Sequence, residues 1–167
     1  MTAKSLAQSI RQQQARPKRR KNLDTGNPGR ALAAVATRER VQSELAPYLE
    51  TLRDAIPELW PRKRLFDGCW VLGLDADLPF GSYKGRPYEA FSRLDFALRI
   101  DPDVRGFEVT CSTTVYDRDE PTDRFRGTLE PASLEELGVF VEHHCLLFAT
   151  RFFERRPRKA AGGQDAA

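Results

Sequence analysis

Histidine and cysteine are scarce in this chain of 167 residues, with two of the first and three of the second. Cys69, Cys111 and Cys145 are odd in number, lie far apart and contain no C-x-x-C pair, so nothing suggests a disulfide framework. No apolar run approaches the roughly 18 residues of a membrane span, and the N-terminal stretch "SLAQSI" is too polar for the core of a signal peptide. An organelle transit peptide would need an apolar face that the first twenty residues lack. These absences lead to the expectation of a cytoplasmic, reducing location, with no membrane partner and no cofactor.

What is present is one domain's worth of apolar sequence, 40% of the residues, with the charge unevenly spread. The net charge of +3 divides into +7 over residues 1–30, −7 over 31–154 and +3 over 155–167. The body is acidic and both ends are basic. Residues 1–29 contain "RPKRRK" and "TGNPG" and offer little apolar surface to offset the entropy of ordering, so they read as a disordered basic tail. Residues 157–167 read the same way, which leaves a single α+β domain over 30–156.

Within that domain Val41, Leu45, Tyr48, Leu49, Leu52 and Ile56 share one face of a helix. The face keeps its phase across Pro47, which predicts a kinked but continuous helix, ended by Pro57 and Pro61. Four extended segments follow. The clearest sets Leu94, Phe96, Leu98 and Ile100 on one face against Arg93, Asp95, Arg99 and Asp101 on the other. The next points Phe107, Val109, Cys111 and Val115 inward, with Thr110, Ser112, Thr114 and Tyr116 outward. The fourth turns Phe125 and Leu129 inward. Short connectors rich in turn formers imply antiparallel pairing, and Ser133 with Glu136 forms a capping box ahead of a last helix. The expected fold is a four-stranded antiparallel meander sheet packed on one face by an N-terminal kinked helix and a C-terminal helix, in the order α-β-β-β-β-α.

Chemistry is thinly represented. His143 and His144 stand beside Cys145, but on a helix His143 points opposite the core face and Cys145 points into it, so they cannot share a metal or catalytic site. That geometry predicts a core cysteine and two surface or rim histidines. Asp75 and Asp77 lie two apart on a strand and are the least implausible metal pair, although aspartate is also a common turn residue. No catalytic residues are assigned, and an enzyme is not the expected class. The eleven-residue stretch "PFGSYKGRPYE" reads as a long loop that interleaves aromatics with cations. Its Tyr83, Lys84 and Arg86, together with the run Lys18, Arg19, Arg20 and Lys21, form a candidate site for nucleic acid, an anion or an acidic partner.

The last helix carries more apolar surface than one sheet can cover. Val139, Leu146 and Phe153 recur at seven-residue intervals on one flank, and Phe140 with Leu147 form a second patch. The function this predicts is a non-enzymatic protein-interaction domain that pairs as a homodimer through those residues. The alternative is a nucleic-acid accessory protein that binds through its basic tail and the Tyr83–Arg86 loop.

Overall fold

The computed structural model describes residues 28–66, 68–102 and 105–157, apart from the side chains of Phe66, Ser82, Tyr83 and Pro87. The expected tails over 1–29 and 157–167 fall outside these residues, save Pro28, Gly29 and Pro157. The chain divides into two compact units, Met1–Ala33 and Ala34–Ala167, and the packing described below is that of the second.

Among the described residues helix α1 spans Pro28–Ala55, so it already runs two residues ahead of the start that the sequence pattern implies. Thr37, Val41, Leu45, Leu49 and Leu52 are buried along it. The helix runs through Pro47 because the buried face continues on both sides, and that packing outweighs the roughly 3 kcal/mol that an interior proline costs. Thr51 Oγ1 donates to the Pro47 carbonyl at 2.9 Å.

Among the described residues the sheet is antiparallel throughout and contains six strands rather than four. In chain order they are β1 Trp60–Phe66, β2 Cys69–Tyr83, β3 Arg86–Ile100, β4 Phe107–Val115, β5 Arg118–Asp119 and β6 Asp123–Gly127. The spatial order is β1-β2-β3-β4-β5, with β6 also paired to β4. Strand β1 is the addition at one edge. Its Pro61 and its three consecutive cations Arg62, Lys63 and Arg64 hide the strand in the sequence, and an edge strand is where proline can be accommodated.

The "PFGSYKGRPYE" stretch is not a loop. Strands β2 and β3 continue through it, with one bulge between Pro79 and Gly81, and turn over Lys84 and Gly85 alone. Both turn residues have positive φ, 49° and 73°, as a two-residue type I′ turn requires, and Gly85 adopts that conformation without steric cost. Pairing of β1 to β2 stops at Asp75 and pairing of β3 to β4 stops at Arg93, so the hairpin runs on past both neighbours as a two-stranded ribbon.

The inner sheet face is the expected one. Leu94, Phe96 and Leu98 of β3 and Phe107, Val109 and Cys111 of β4 are buried, together with Leu72, Leu74 and Ala76 of β2. They form one core with the buried face of α1 and with helix α2, Pro131–Arg155. Two details depart from the sequence pattern. Tyr116 does not point outward: it starts a second positive-φ turn with Asp117 and stacks on Phe152 at 5.2 Å. Leu129 lies beyond the end of β6 and is exposed rather than inward, while Phe125 packs against the core as expected.

Candidate functional site

Helix α2 opens with Pro131 after Glu130, and no side chain caps it. The expected capping box does not form, because Ser133 already lies inside the first turn and its hydroxyl accepts the Thr128 N–H at 2.9 Å instead. The inward side of the helix is a continuous apolar face of Leu134, Leu137, Val141, Cys145, Phe148 and Phe152. On its outward side Val139, Leu146 and Phe153 are 65%, 66% and 52% exposed. Seven residues are close to two helical turns, so these three line up as one stripe about 21 Å long. The second expected patch is largely closed. Phe140 and Leu147 are half-buried, with Phe140 against Phe125 of β6 at 5.7 Å and the His144 ring at 4.6 Å.

Beside Val139 the stripe opens into a groove of about 420 Å³ between α1 and α2, with Glu44, Tyr48, Leu129, Glu135 and Glu142 among its walls. The helices approach closely at its floor, where a Cβ on Gly138 would stand 2.8 Å from the Tyr48 hydroxyl oxygen. Carboxylates flank the apolar residues. Glu135 and Glu142 lie on the groove side, and Glu136 and Glu154 on the other flank of the helix. The cations of the last two turns are spoken for. Arg151 contacts Glu154 at 3.1 Å and Glu120 at 3.5 Å, Arg155 holds Glu120 at 2.5 Å, and Arg156 holds Glu58 at 2.8 Å.

The histidine pair separates as the helical geometry requires, but His144 is not at the surface. It is buried, and its Nε2 lies 2.9 Å from Asp123 Oδ2 at the start of β6. This contact, with the Arg124 N–H, holds the Asp123 carboxyl below the usual carboxylate range. The expected rim position placed His144 on the flank of the helix, and the neighbouring strand β6 covers that flank. His143 is exposed and Cys145 is buried. Burial pushes the thiols of Cys111 and Cys145 up to about 12, which leaves both without nucleophilic character.

The outward sheet face is not a simple solvated platform. Asp75 and Asp95 are only 1% and 6% exposed. Arg93 Nε donates to Asp75 Oδ1 at 3.0 Å, and Arg62 of β1 reaches Asp75 Oδ2 at the same distance. Arg64 approaches Asp95 Oδ2 at 3.3 Å, while among the described residues no hydrogen-bond donor reaches the buried Asp95 Oδ1. Burial therefore outweighs the attraction of Arg93, Arg62 and Arg64 and raises the Asp95 pKa. Asp75 is thereby committed to arginines, whereas Asp77, two residues on, is exposed, so the candidate metal pair is not brought together as a site. Among the described residues no three His, Cys, Asp or Glu side chains are placed to hold a metal ion. This five-residue ion cluster is hidden in the sequence because two of its arginines, Arg62 and Arg64, come from β1.

Lys84 and Arg86 are exposed at the tip of the β2–β3 ribbon, where Tyr83 pairs with Arg86 through the backbone. Behind them Phe80 contacts Tyr88 at 6.0 Å and Tyr116 at 5.3 Å, which links the ribbon through Tyr116 to Phe152 in the core. The Tyr88 hydroxyl donates to Asp117 Oδ2 at 2.5 Å, which raises the tyrosine pKa and lowers that of the aspartate. The basic run Lys18 to Lys21 lies outside the described residues. No helix among the described residues is long and apolar enough to cross a membrane. No known family, curated protein or solved structure matches the chain.

Proposed function

We propose that this chain is a non-enzymatic protein-interaction domain that engages another polypeptide through the outer stripe of α2. The observation that carries the proposal is the exposure of Val139, Leu146 and Phe153 in a single row on a helix whose opposite side is fully packed. Exposed apolar residues scattered singly need no explanation, but a row at helical spacing beside a groove is the form in which helices are recognised.

Self-association is the symmetric version of this contact and would place Leu146 near a two-fold axis. Light scattering during gel filtration at micromolar concentration would then give twice the chain mass of 19.0 kDa, and Leu146→Glu would return the monomer. Because Leu146 is exposed, the variant should melt like the parent, so lost association would not be confused with unfolding. An unchanged association state together with unchanged peptide binding in that variant would overturn the proposal. The nucleic-acid alternative has less support, since the outward arginines Arg62, Arg64, Arg93 and Arg126 are engaged with carboxylates of the sheet itself.

A further inference from the structure

We infer that the occupant of the α2 stripe is a cationic amphipathic helix of another polypeptide rather than a second copy of this chain; the inference rests on the reading of that stripe as a docking surface. The argument is charge. The apolar row is flanked by Glu135 and Glu142 on the groove side and by Glu136 on the other, while Arg40 at the groove is already paired with Glu44 at 3.0 Å. Arg155 is drawn away to Glu120 and Arg156 to Glu58, while Arg151 holds Glu154 as well as reaching Glu120, so Glu154 is already compensated and Glu135, Glu136 and Glu142 are the carboxylates left over. The uncommitted charge along the stripe is therefore negative on both flanks.

A second copy meets this arrangement poorly. A parallel two-fold pair sets the Glu136 flank of one helix against the Glu135 and Glu142 flank of the other, and like charges at such positions oppose pairing. An antiparallel pair centred on Leu146 brings no uncommitted cation of the described residues to these glutamates, because Arg151, Arg155 and Arg156 of the second copy already hold carboxylates of their own chain. A helix with leucines at heptad spacing and lysines or arginines on its flanks meets both requirements at once, with its apolar residues against Val139, Leu146 and Phe153 and its cations against the glutamates. The open groove beside Val139 gives one of its large side chains a place to enter.

The test uses the full chain and two synthetic helical peptides with the same leucine spacing, one with lysine on its flanks and one with glutamate. Fluorescence anisotropy at about 50 mM salt should show the lysine peptide binding about tenfold more tightly than the glutamate peptide, and the difference should collapse near 1 M salt, where the screening length falls to about 3 Å. Glu135→Gln with Glu142→Gln should erase most of the difference, and Leu146→Glu should weaken both peptides without changing the melting curve. Equal binding of the two peptides, abolished by Leu146→Glu, would keep the stripe as a docking surface and overturn the charge assignment. A dimer dissolved by Leu146→Glu, with neither peptide bound, would identify a second copy as the occupant and overturn the inference alone. A monomer that binds neither peptide would overturn both readings.

Discussion

Asp95 sits directly over Gly73 across the β2–β3 pair, so close that a Cβ on residue 73 would stand 2.1 Å from Asp95 Oδ1 and 2.7 Å from the Leu94 carbonyl oxygen. The carboxylate occupies the space that a side chain on β2 would fill, and one of the two obstructing atoms is backbone. Gly73→Ala should therefore cost about 1–3 kcal/mol through forced repacking, measured by urea denaturation. A variant as stable as the parent would mean that β2 and β3 are not in this register.

Asp95 also sets a pH dependence. Its folded-state pKa is raised above the unfolded value, with burial as the main cause. The folded state therefore holds this proton more tightly than the unfolded chain does, and the penalty for the charged form, present at neutral pH, is relieved as pH falls through the folded pKa. Asp95→Asn removes the titration. The stability of the parent relative to the variant should rise as pH is lowered from 7 into the carboxylate range, and a difference that stays flat would show that the arginines fully compensate the burial.

At Asp123 the sign is opposite. The His144 contact lowers the folded-state pKa, so the stabilisation it gives is present above the unfolded value near 4 and is lost as pH falls through the folded one. Asp123→Asn should flatten the acid limb of the stability curve relative to the parent. Because Asp123 is exposed, the effect is expected to be small and sensitive to salt.

The thiols separate the core from the rim. Cys111 and Cys145 are buried with pKa values near 12, whereas Cys69 is partly accessible beside Arg99. A thiol-reactive dye at pH 8 should label one site per folded chain and all three cysteines after denaturation. Rapid labelling of a second thiol in the folded chain would place Cys111 or Cys145 outside the core.

Phe96 is fully buried at the centre of the inner face. Phe96→Ala should destabilise the domain by about 3–5 kcal/mol, read from the shift in denaturation midpoint at constant slope.

Strong periodicity makes the helices and the inner sheet face legible in the sequence itself. The 3.6-residue pattern of α1 survives Pro47, and the alternation through Leu94 to Ile100 and Phe107 to Val115 names the buried residues. The stripe at Val139, Leu146 and Phe153 was readable for the same reason, since a seven-residue repeat on a helix fixes a face whatever the tertiary structure does. What failed was information that belongs to pairs of strands. Strand β1 lacks alternation, so Arg62 and Arg64 could not be set beside Asp75 and Asp95, and the match of Gly73 to Asp95 exists only once the register is known. The glycines and prolines of Pro79 to Pro87 imitate a loop, although only Lys84 and Gly85 turn. His144 was misplaced because its burial depends on β6, a neighbour that a helical wheel does not contain.

The ribbon that extends past both neighbours of the β2–β3 hairpin has a consequence for solubility. Among the described residues no strand pairs with the outer side of β2 beyond Asp75, and such an open edge can template pairing with another chain. Pro79 on one strand and Pro87 on the other have no N–H to donate, and the bulge at Phe80 breaks the regular spacing that a foreign strand would need to match. The same residues that disguise this segment as a loop thus act as its protection against edge-to-edge assembly. A chain with valine in place of both prolines would keep the hairpin and its bulge while restoring an N–H donor to each edge, and its lag time to fibre formation would shorten.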